Sequence, residues 1–129
     1  MANPKMTKQW FEYAARNLEV AKMMVGHGTE FKNEIAFHVQ QCIEKCTKGY
    51  LVFHEVRVSK THKIEDLAKF IAPIDPALLP LFRGAKRISN YAVAYGSPDS
   101  EVKPISFTKA KVEVKLAEKI FNRLLKEVT

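Results

Sequence analysis

Long apolar runs are absent from this sequence of 129 residues, and glycine, proline and cysteine are scarce. No apolar stretch approaches the roughly 20 residues that a membrane-spanning helix requires, so no membrane segment is expected. The first ten residues carry lysines without an apolar core behind them, so no secretory signal is expected either. The 5 glycines and 6 prolines fall mainly at the ends of predicted segments, and no internal repeat is visible. One globular domain over residues 1–129 is predicted, because this length can bury a core without disulfides or metal.

The 2 cysteines, Cys42 and Cys46, lie four residues apart in a helical pattern. This arrangement favours reduced thiols over a disulfide and therefore a cytoplasmic location. His38 precedes Cys42 by another four residues, which raises the question of a metal site. Three residues along one straight helix span about 12 Å, so one ion cannot reach all three. We therefore predict core thiols beside a hydrogen-bonded histidine, with no metal.

Common motifs for phosphate chemistry are also missing. The chain has no glycine-rich loop of the P-loop type and no paired carboxylates spaced for two metal ions. The formal net charge is nevertheless +7, which permits binding to nucleic acid or another polyanion. Because the 21 lysines and arginines are spread along the chain, a basic surface that serves only solubility is the alternative.

No stretch of useful length alternates apolar and polar residues as a half-buried strand does. Apolar residues recur instead at steps of three and four, which indicates amphipathic helices. The predicted helices cover residues 7–27, 33–54, 61–72, about 80–95 and about 106–128. Short connections between such helices favour antiparallel neighbours. The expected fold is all-α, an up-down antiparallel bundle of four long helices and one short helix.

Capping signals mark the third and fourth helices. Thr61 is expected to cap the short third helix. Asp75 followed by Pro76 is a good start signal for the fourth, with an acid at the N-cap and proline at the first helical position. Pro80 fits poorly inside a helix, so the regular part of the fourth helix is expected to begin near it.

The second helix is too polar along one side to be only core. Its polar positions away from the apolar stripe are His38, Gln41, Lys45 and Lys48, and the apolar residues that share that half are Phe37, Leu51 and Val52. Such a mixture is typical of a second buried contact, for example a homodimer or partner surface. A solvated face with a few stray apolar residues is the alternative.

The segment from Phe37 to Lys48, FHVQQCIEKCTK, resembles the signature F-x-x-Q-Q-A-x-E-K-x-x-K of the HEPN domain family. Thr61 and His62, ahead of the third helix, resemble its next landmark, T-H-x-(L/I)-x-x-L. The first helix matches a further family pattern with Trp10, Ala14, Asn17, Leu18 and Ala21. HEPN domains are small helical bundles named for their occurrence in higher eukaryotes and prokaryotes and for nucleotide binding. The resemblance covers nearly the whole chain.

Many HEPN proteins are metal-independent ribonucleases with an R-x(4–6)-H motif near the end of the fourth helix, which dimerisation brings together in two copies. A histidine there can transfer a proton while the arginine holds phosphate. Aligning Ala94-Tyr95-Gly96 with the H-A-Y-G end of some members places Val93 where the histidine would be. The histidines of this chain are at positions 27, 38, 54 and 62. The resemblance therefore implies a member that lacks the catalytic histidine.

Two features of the fourth helix have open interpretations. Another family branch ends this helix in R-Y-P, and both alignments place Tyr95 at a family position, although the tyrosine could simply pack near the end of the bundle. Arg83, Lys86, Arg87 and Asn90 form a basic side of the helix. That side could hold a phosphate or could be solvated.

By resemblance, the chain is expected to be a non-catalytic module that binds a nucleotide, RNA or a protein partner, forms a homodimer and uses no cofactor. Minimal HEPN proteins are often paired with a small nucleotidyltransferase in toxin–antitoxin-like systems, so such a partner is expected. One alternative is a ribonuclease with a displaced site that combines Arg87 with His38 or His62, and another is a structural dimerisation adaptor. The expected ligand-binding residues are Gln41, Glu44, Lys45, Lys48, His62, Arg83, Arg87, Tyr91 and Tyr95.

Overall fold

The computed structural model describes residues 3–57, 60–84, 87–89 and 105–129. Within these ranges every regular element is a helix and no strand occurs, which confirms the all-α prediction. The α-helices are α1 (Pro4–His27), α2 (Lys32–Phe53), α3 (Ile64–Ile71) and α4 (Phe107–Val128), and two 3-10 helices span Thr29–Phe31 and Pro76–Phe82. Residues 87–89 are also helical. α4 corresponds to the fifth helix predicted from the sequence.

α1 and α2 are the central antiparallel pair. Asn17, in the middle of α1, contacts His38 near the start of α2. Trp10, near the start of α1, contacts Lys48 towards the end of α2. The order of contacts along the two helices is reversed, as the short connection between them predicts.

α4 packs against both long helices and completes the core. Lys22 of α1 pairs with Glu118 of α4, while Pro4 and Val128 line one cavity near the other end of α1. α4 therefore also runs antiparallel to α1. Small, fully buried side chains on the three helices allow close packing; they include Ala14, Ala21, Cys42, Cys46, Ala110 and Ala117. None of the helices in the described ranges has the length and apolarity needed to cross a bilayer.

The two cysteines are free, buried thiols on α2, as the sequence predicts. Burial, together with the neighbouring Cys42, raises the pKa of Cys46 well above its ordinary value, so this thiol stays protonated at neutral pH. His38 hydrogen-bonds to Asn17. Among the residues that the structure describes, no group of three or more His, Cys, Asp or Glu side chains is arranged to hold a metal ion.

α3 begins at Ile64, two residues later than a cap at Thr61 predicts. Thr61 does not cap it; its hydroxyl accepts a hydrogen bond from the backbone N–H of Lys63 at 3.1 Å and so shapes the turn before the helix. The N–H of Ile64, in the first turn of α3, donates to the Ser89 hydroxyl at 2.9 Å. Because that acceptor is 25 residues away in the sequence, local capping rules could not identify it.

The start signal at Asp75 and Pro76 is real, but it opens a 3-10 helix that ends at Phe82. The Asp75 carboxylate accepts from the N–H of Ala77 at 3.1 Å, as an N-cap does. Pro80 lies inside this element, where it cannot donate a backbone hydrogen bond. Arg83 follows in an extended conformation, so its predicted position on the fourth helix is wrong. The predicted sites at Lys86, Asn90, Tyr91 and Tyr95 lie outside the described residues.

Candidate functional site

A buried polar network surrounds the carboxylate of Glu44 in α2, whose side chain is only 4% exposed. Glu44 accepts hydrogen bonds from Gln40 Nε2 at 3.0 Å and from Lys48 Nζ at 3.0 Å. The four-residue spacing places these three side chains in one row along the helix. His62, from the segment before α3, contacts the same carboxylate with Nδ1 at 2.9 Å. A charge that would be costly to bury is therefore compensated by Lys48 and by further donors.

His62 is fixed at one edge and open at the other. Its Nδ1 carries the proton towards Glu44, since an ionised carboxylate can only accept. Its backbone carbonyl accepts a second hydrogen bond, from Gln40 Nε2 at 3.1 Å. Its side chain is nevertheless 79% exposed. The network therefore presents an oriented imidazole to solvent.

Two clefts meet at this histidine. The α3 cleft has a volume of about 580 Å³, and its lining includes Gln41, Lys60, Thr61, His62, Lys63 and Ser89. The tryptophan cleft has a volume of about 840 Å³, and its lining includes Met6, Trp10, Lys48, Arg57, Lys60 and His62. Lys60 and His62 line both, so the two clefts adjoin.

The polar side of α2 is covered in part by α1 of the same chain. Lys45 donates to Asn17 Oδ1 at 2.8 Å, and Asn17 Nδ2 donates to His38 Nδ1 at 3.0 Å. The Lys45 ammonium also lies 5.9 Å from the centre of the Tyr13 ring. The sequence left a partner surface and a solvated face as alternatives for this side. The structure adds an intramolecular contact, which accounts for part of its polarity.

His38 makes stability depend on pH. Burial, followed by the charge of Lys45, lowers the pKa of His38 below its ordinary value of 6.5. The unfolded chain therefore binds this proton more readily, and the free energy of unfolding falls as pH drops from about 6.5 towards the folded-state pKa. We expect the variant His38→Gln to show a shallower pH dependence than wild type in this window, measured by urea denaturation. If the free energy of unfolding depends on pH equally in both proteins, His38 is not the group responsible.

Arg87 is held by a carboxylate of α4. Its Nη2 donates at 2.8 Å to Glu113, whose side chain is 1% exposed. Its guanidinium lies over Gly84, where an added Cβ would come within 3.1 Å of it. Gly84 has a φ of +79°, a conformation that favours glycine. An Arg87→Ala variant would leave Glu113 without this partner, so loss of function in it would not identify a catalytic arginine.

The structure unites some of the predicted site residues and separates others. Gln41, Glu44, Lys48 and His62 belong to one connected network, since Gln41 donates to Gln40. Lys45 is joined to Asn17, Arg87 is paired with Glu113, and Arg83 follows the second 3-10 helix in an extended conformation. Tyr91 and Tyr95 lie outside the described residues. Sequence reasoning missed Trp10, Gln40, Lys60 and Ser89 as site residues. Two of them had a signal, since Gln40 is the first glutamine of the family signature on α2 and Trp10 belongs to the family pattern on the first helix.

Comparison with known proteins gives two similarities. A family model described as "HEPN domain" matches residues 7–128. The crystal structure of an archaeal HEPN homologue superposes with a TM-score of 0.71 at 22% sequence identity, covering 95% of this chain and 98% of that chain. At this identity the match speaks for the fold alone. No match was found among curated proteins.

Proposed function

This chain belongs to the HEPN domain family, and from that membership we propose that it is a non-catalytic module that binds a phosphate-bearing ligand, either a nucleotide or RNA. The observation that carries the proposal is the α3 cleft. Within the described residues its lining side chains are amides, hydroxyls, an imidazole and two ammonium groups, and none is acidic. Such donors are those that bind phosphate oxygens.

The charges around the cleft also favour an anion. The carboxylate of Glu44 is buried and paired with Lys48, whereas Lys60 and Lys63 are exposed at the cleft. The charges of Glu44 and Lys48 offset each other, so the ammonium groups of Lys60 and Lys63 make the exposed edge of the α3 cleft positive. His62 adds a donor whose orientation is already fixed, which lowers the entropy cost of binding.

We infer binding without cleavage from the sequence around the fourth helix. Proton transfer needs a titratable group, and the position that the family's R-x(4–6)-H motif gives to histidine is Val93 here. The proposal also includes a homodimer and a small nucleotidyltransferase as partner, both supported by family resemblance. Molecular sizing tests the first, and co-purification with a nucleotidyltransferase tests the second.

The binding test is a comparison of charge-reversal variants. We expect ATP or a short single-stranded RNA, at about 100 times its Kd, to stabilise the wild-type protein by about 2.7 kcal/mol, which raises the melting temperature by several degrees. The double variant Lys60→Glu/Lys63→Glu should bind at least tenfold more weakly. For RNA, the slope of the logarithm of the binding constant against the logarithm of the salt concentration should also become shallower by about 1.4, because each of the two lost phosphate contacts removes about 0.7.

The matched control is the double variant Lys115→Glu/Lys119→Glu, at two exposed lysines of α4 that line neither cleft. It should keep wild-type affinity. If neither nucleotides nor RNA stabilise the wild-type protein, the proposal fails and a structural dimerisation adaptor is favoured. Equal weakening by both variants would mean that net charge, rather than the α3 cleft, governs binding.

A ribonuclease with a displaced site is the second candidate, and His62 is the observation that favours it. An exposed imidazole anchored through Nδ1 to a buried carboxylate has the arrangement of a general base. His38, the other histidine considered, is half-buried and accepts from Asn17. Metal-free cleavage of RNA that is lost in His62→Asn, with binding retained, would favour this candidate over the binding module.

A further inference from the structure

We propose that the tryptophan cleft receives the base of a nucleotide whose phosphate lies at Lys60 and His62. The inference rests on the proposed function and deepens it, because it distinguishes a nucleotide, free or within RNA, from a bare polyanion. It locates base recognition between α1 and the segment that follows α2.

The lining of the tryptophan cleft matches a ligand with an aromatic part and a charged part. Met6, Trp10 and Val56 supply apolar and aromatic surface, and Arg57, Lys60 and His62 supply cationic or donor groups. Its volume of about 840 Å³ lies in the range of small-molecule sites. Nucleic-acid bases stack on aromatic side chains beside basic groups that contact the phosphates. A bare phosphate would leave the apolar part of the cleft unused.

The position of Trp10 is fixed by α2. The Lys48 ammonium lies 5.5 Å from the centre of the indole ring, within cation–π distance. Gly49 approaches so closely that an added Cβ would stand 3.0 Å from the Trp10 Cβ. Lys48 is in turn bound to Glu44, which also holds His62. One chain of contacts therefore sets the indole and the imidazole relative to each other before any ligand binds.

Glu55 gives the cleft a residue that stability alone would not select. It lies two residues after the end of α2, with a φ of +60°, and the N–H of the next residue, Val56, donates to the carbonyl of Leu51 at 2.9 Å. This helix ending usually has glycine at the left-handed position, because other residues are strained there. Glu55 lines the tryptophan cleft, where its carboxylate supplies an acceptor suited to ribose hydroxyls or to the amine of a base.

The experiment uses Trp10 as its own reporter, since the chain has 1 tryptophan. Fluorescence of the full chain is titrated with AMP, ATP, a four-residue oligo(A) RNA and tripolyphosphate, and calorimetry gives the affinities independently. We expect the nucleotides or the RNA to quench Trp10 fluorescence saturably, with a Kd that agrees with the one from calorimetry. Tripolyphosphate should bind at least tenfold more weakly than ATP and should not quench. Tighter binding of the RNA than of ATP, or the reverse, supports the inference and identifies the source of the nucleotide.

Two variants test the site. Trp10→Leu should weaken nucleotide binding by roughly 5- to 150-fold, the range of one lost base–aromatic contact. Tyr13→Ala, at an exposed aromatic residue of the same helix outside the tryptophan cleft, should not change it. Glu55→Gly should raise the melting temperature but lower the affinity several-fold, so the inference stays testable if Trp10→Leu fails to fold.

The outcomes separate this inference from the proposed function. Nucleotide binding without quenching, and with unchanged affinity in Trp10→Leu and Glu55→Gly, overturns the base site but leaves the phosphate-binding module intact. If tripolyphosphate binds as tightly as ATP, the base site is likewise overturned and the phosphate-binding module is retained. If no nucleotide, RNA or tripolyphosphate binds the wild-type protein, the proposed function itself fails.

Discussion

Replacing Glu44 with leucine is expected to lower the free energy of unfolding by about 3–5 kcal/mol, the cost of removing one partner of a buried ion pair. Lys48 would lose its carboxylate partner in a site where its side chain is only 6% exposed. Gln40 and His62 would also lose their shared acceptor. The measurement is urea denaturation at neutral pH, with the midpoint and slope fitted separately.

Two further variants make the Glu44 result specific. Glu19→Leu, at an exposed position of α1, should change stability by no more than about 0.5 kcal/mol. The double variant Glu44→Leu/Lys48→Met should recover part of the loss, because a buried pair replaced by apolar side chains leaves no unpaired charge. If Glu44→Leu alone costs less than about 1 kcal/mol, the carboxylate does not hold the network together. The clefts would then lack the rigid support on which our proposals depend.

Gly49→Ala is expected to destabilise the protein by about 1–3 kcal/mol, although alanine is the better helix former by about 1 kcal/mol. The new Cβ would lie 2.9 Å from two ring carbons of Phe11 and 3.0 Å from the Trp10 Cβ. Phe11 cannot turn away freely, because its ring is buried and packs edge-on against Phe121 at 5.9 Å. Thermal or urea denaturation measures the change.

Gly26→Ala is the matched control, since Gly26 lies in α1 with no other atom within 4 Å of an added Cβ. There the same substitution should stabilise by about 0.4–1 kcal/mol, because alanine reduces the entropy of the unfolded chain. The two variants should therefore have effects of opposite sign. A stabilising Gly49→Ala would mean that α1 and α2 are further apart at this point. Replacing the Phe11 ring with the smaller leucine side chain should recover part of the stability that Gly49→Ala loses.

The long helices could be predicted from the sequence because their signals are local. Apolar residues at steps of three and four mark α1, α2 and α4, and the ends of α1 and α2 fall within a few residues of the predictions. Asp75 and Pro76 likewise gave the start of an element, since the hydrogen bond of an N-cap spans only two residues here. The element is a 3-10 helix rather than the start of a long one. It ends at Phe82, where Pro80 and Gly84 interrupt regular pairing.

The candidate site was predictable only where it coincides with a family pattern. Gln41, Glu44 and Lys48 follow from the signature on α2, and His62 from the landmark before α3. Their shared hydrogen bonds were not predictable, because Glu44 and His62 are 18 residues apart and meet only when the segment folds back. Trp10 and Lys60 carry no local signal that assigns them to the same cleft.

By itself, the sequence of this protein determined its three long helices, its family and the positions of the signature. Periodicity and residue identity are properties of short segments and do not depend on neighbours in space. Only the tertiary structure decided which polar groups are buried, which side of α2 contacts α1, and where the clefts lie. Those features depend on side chains that approach across the bundle, and their cost or benefit exists only after water has been excluded between them.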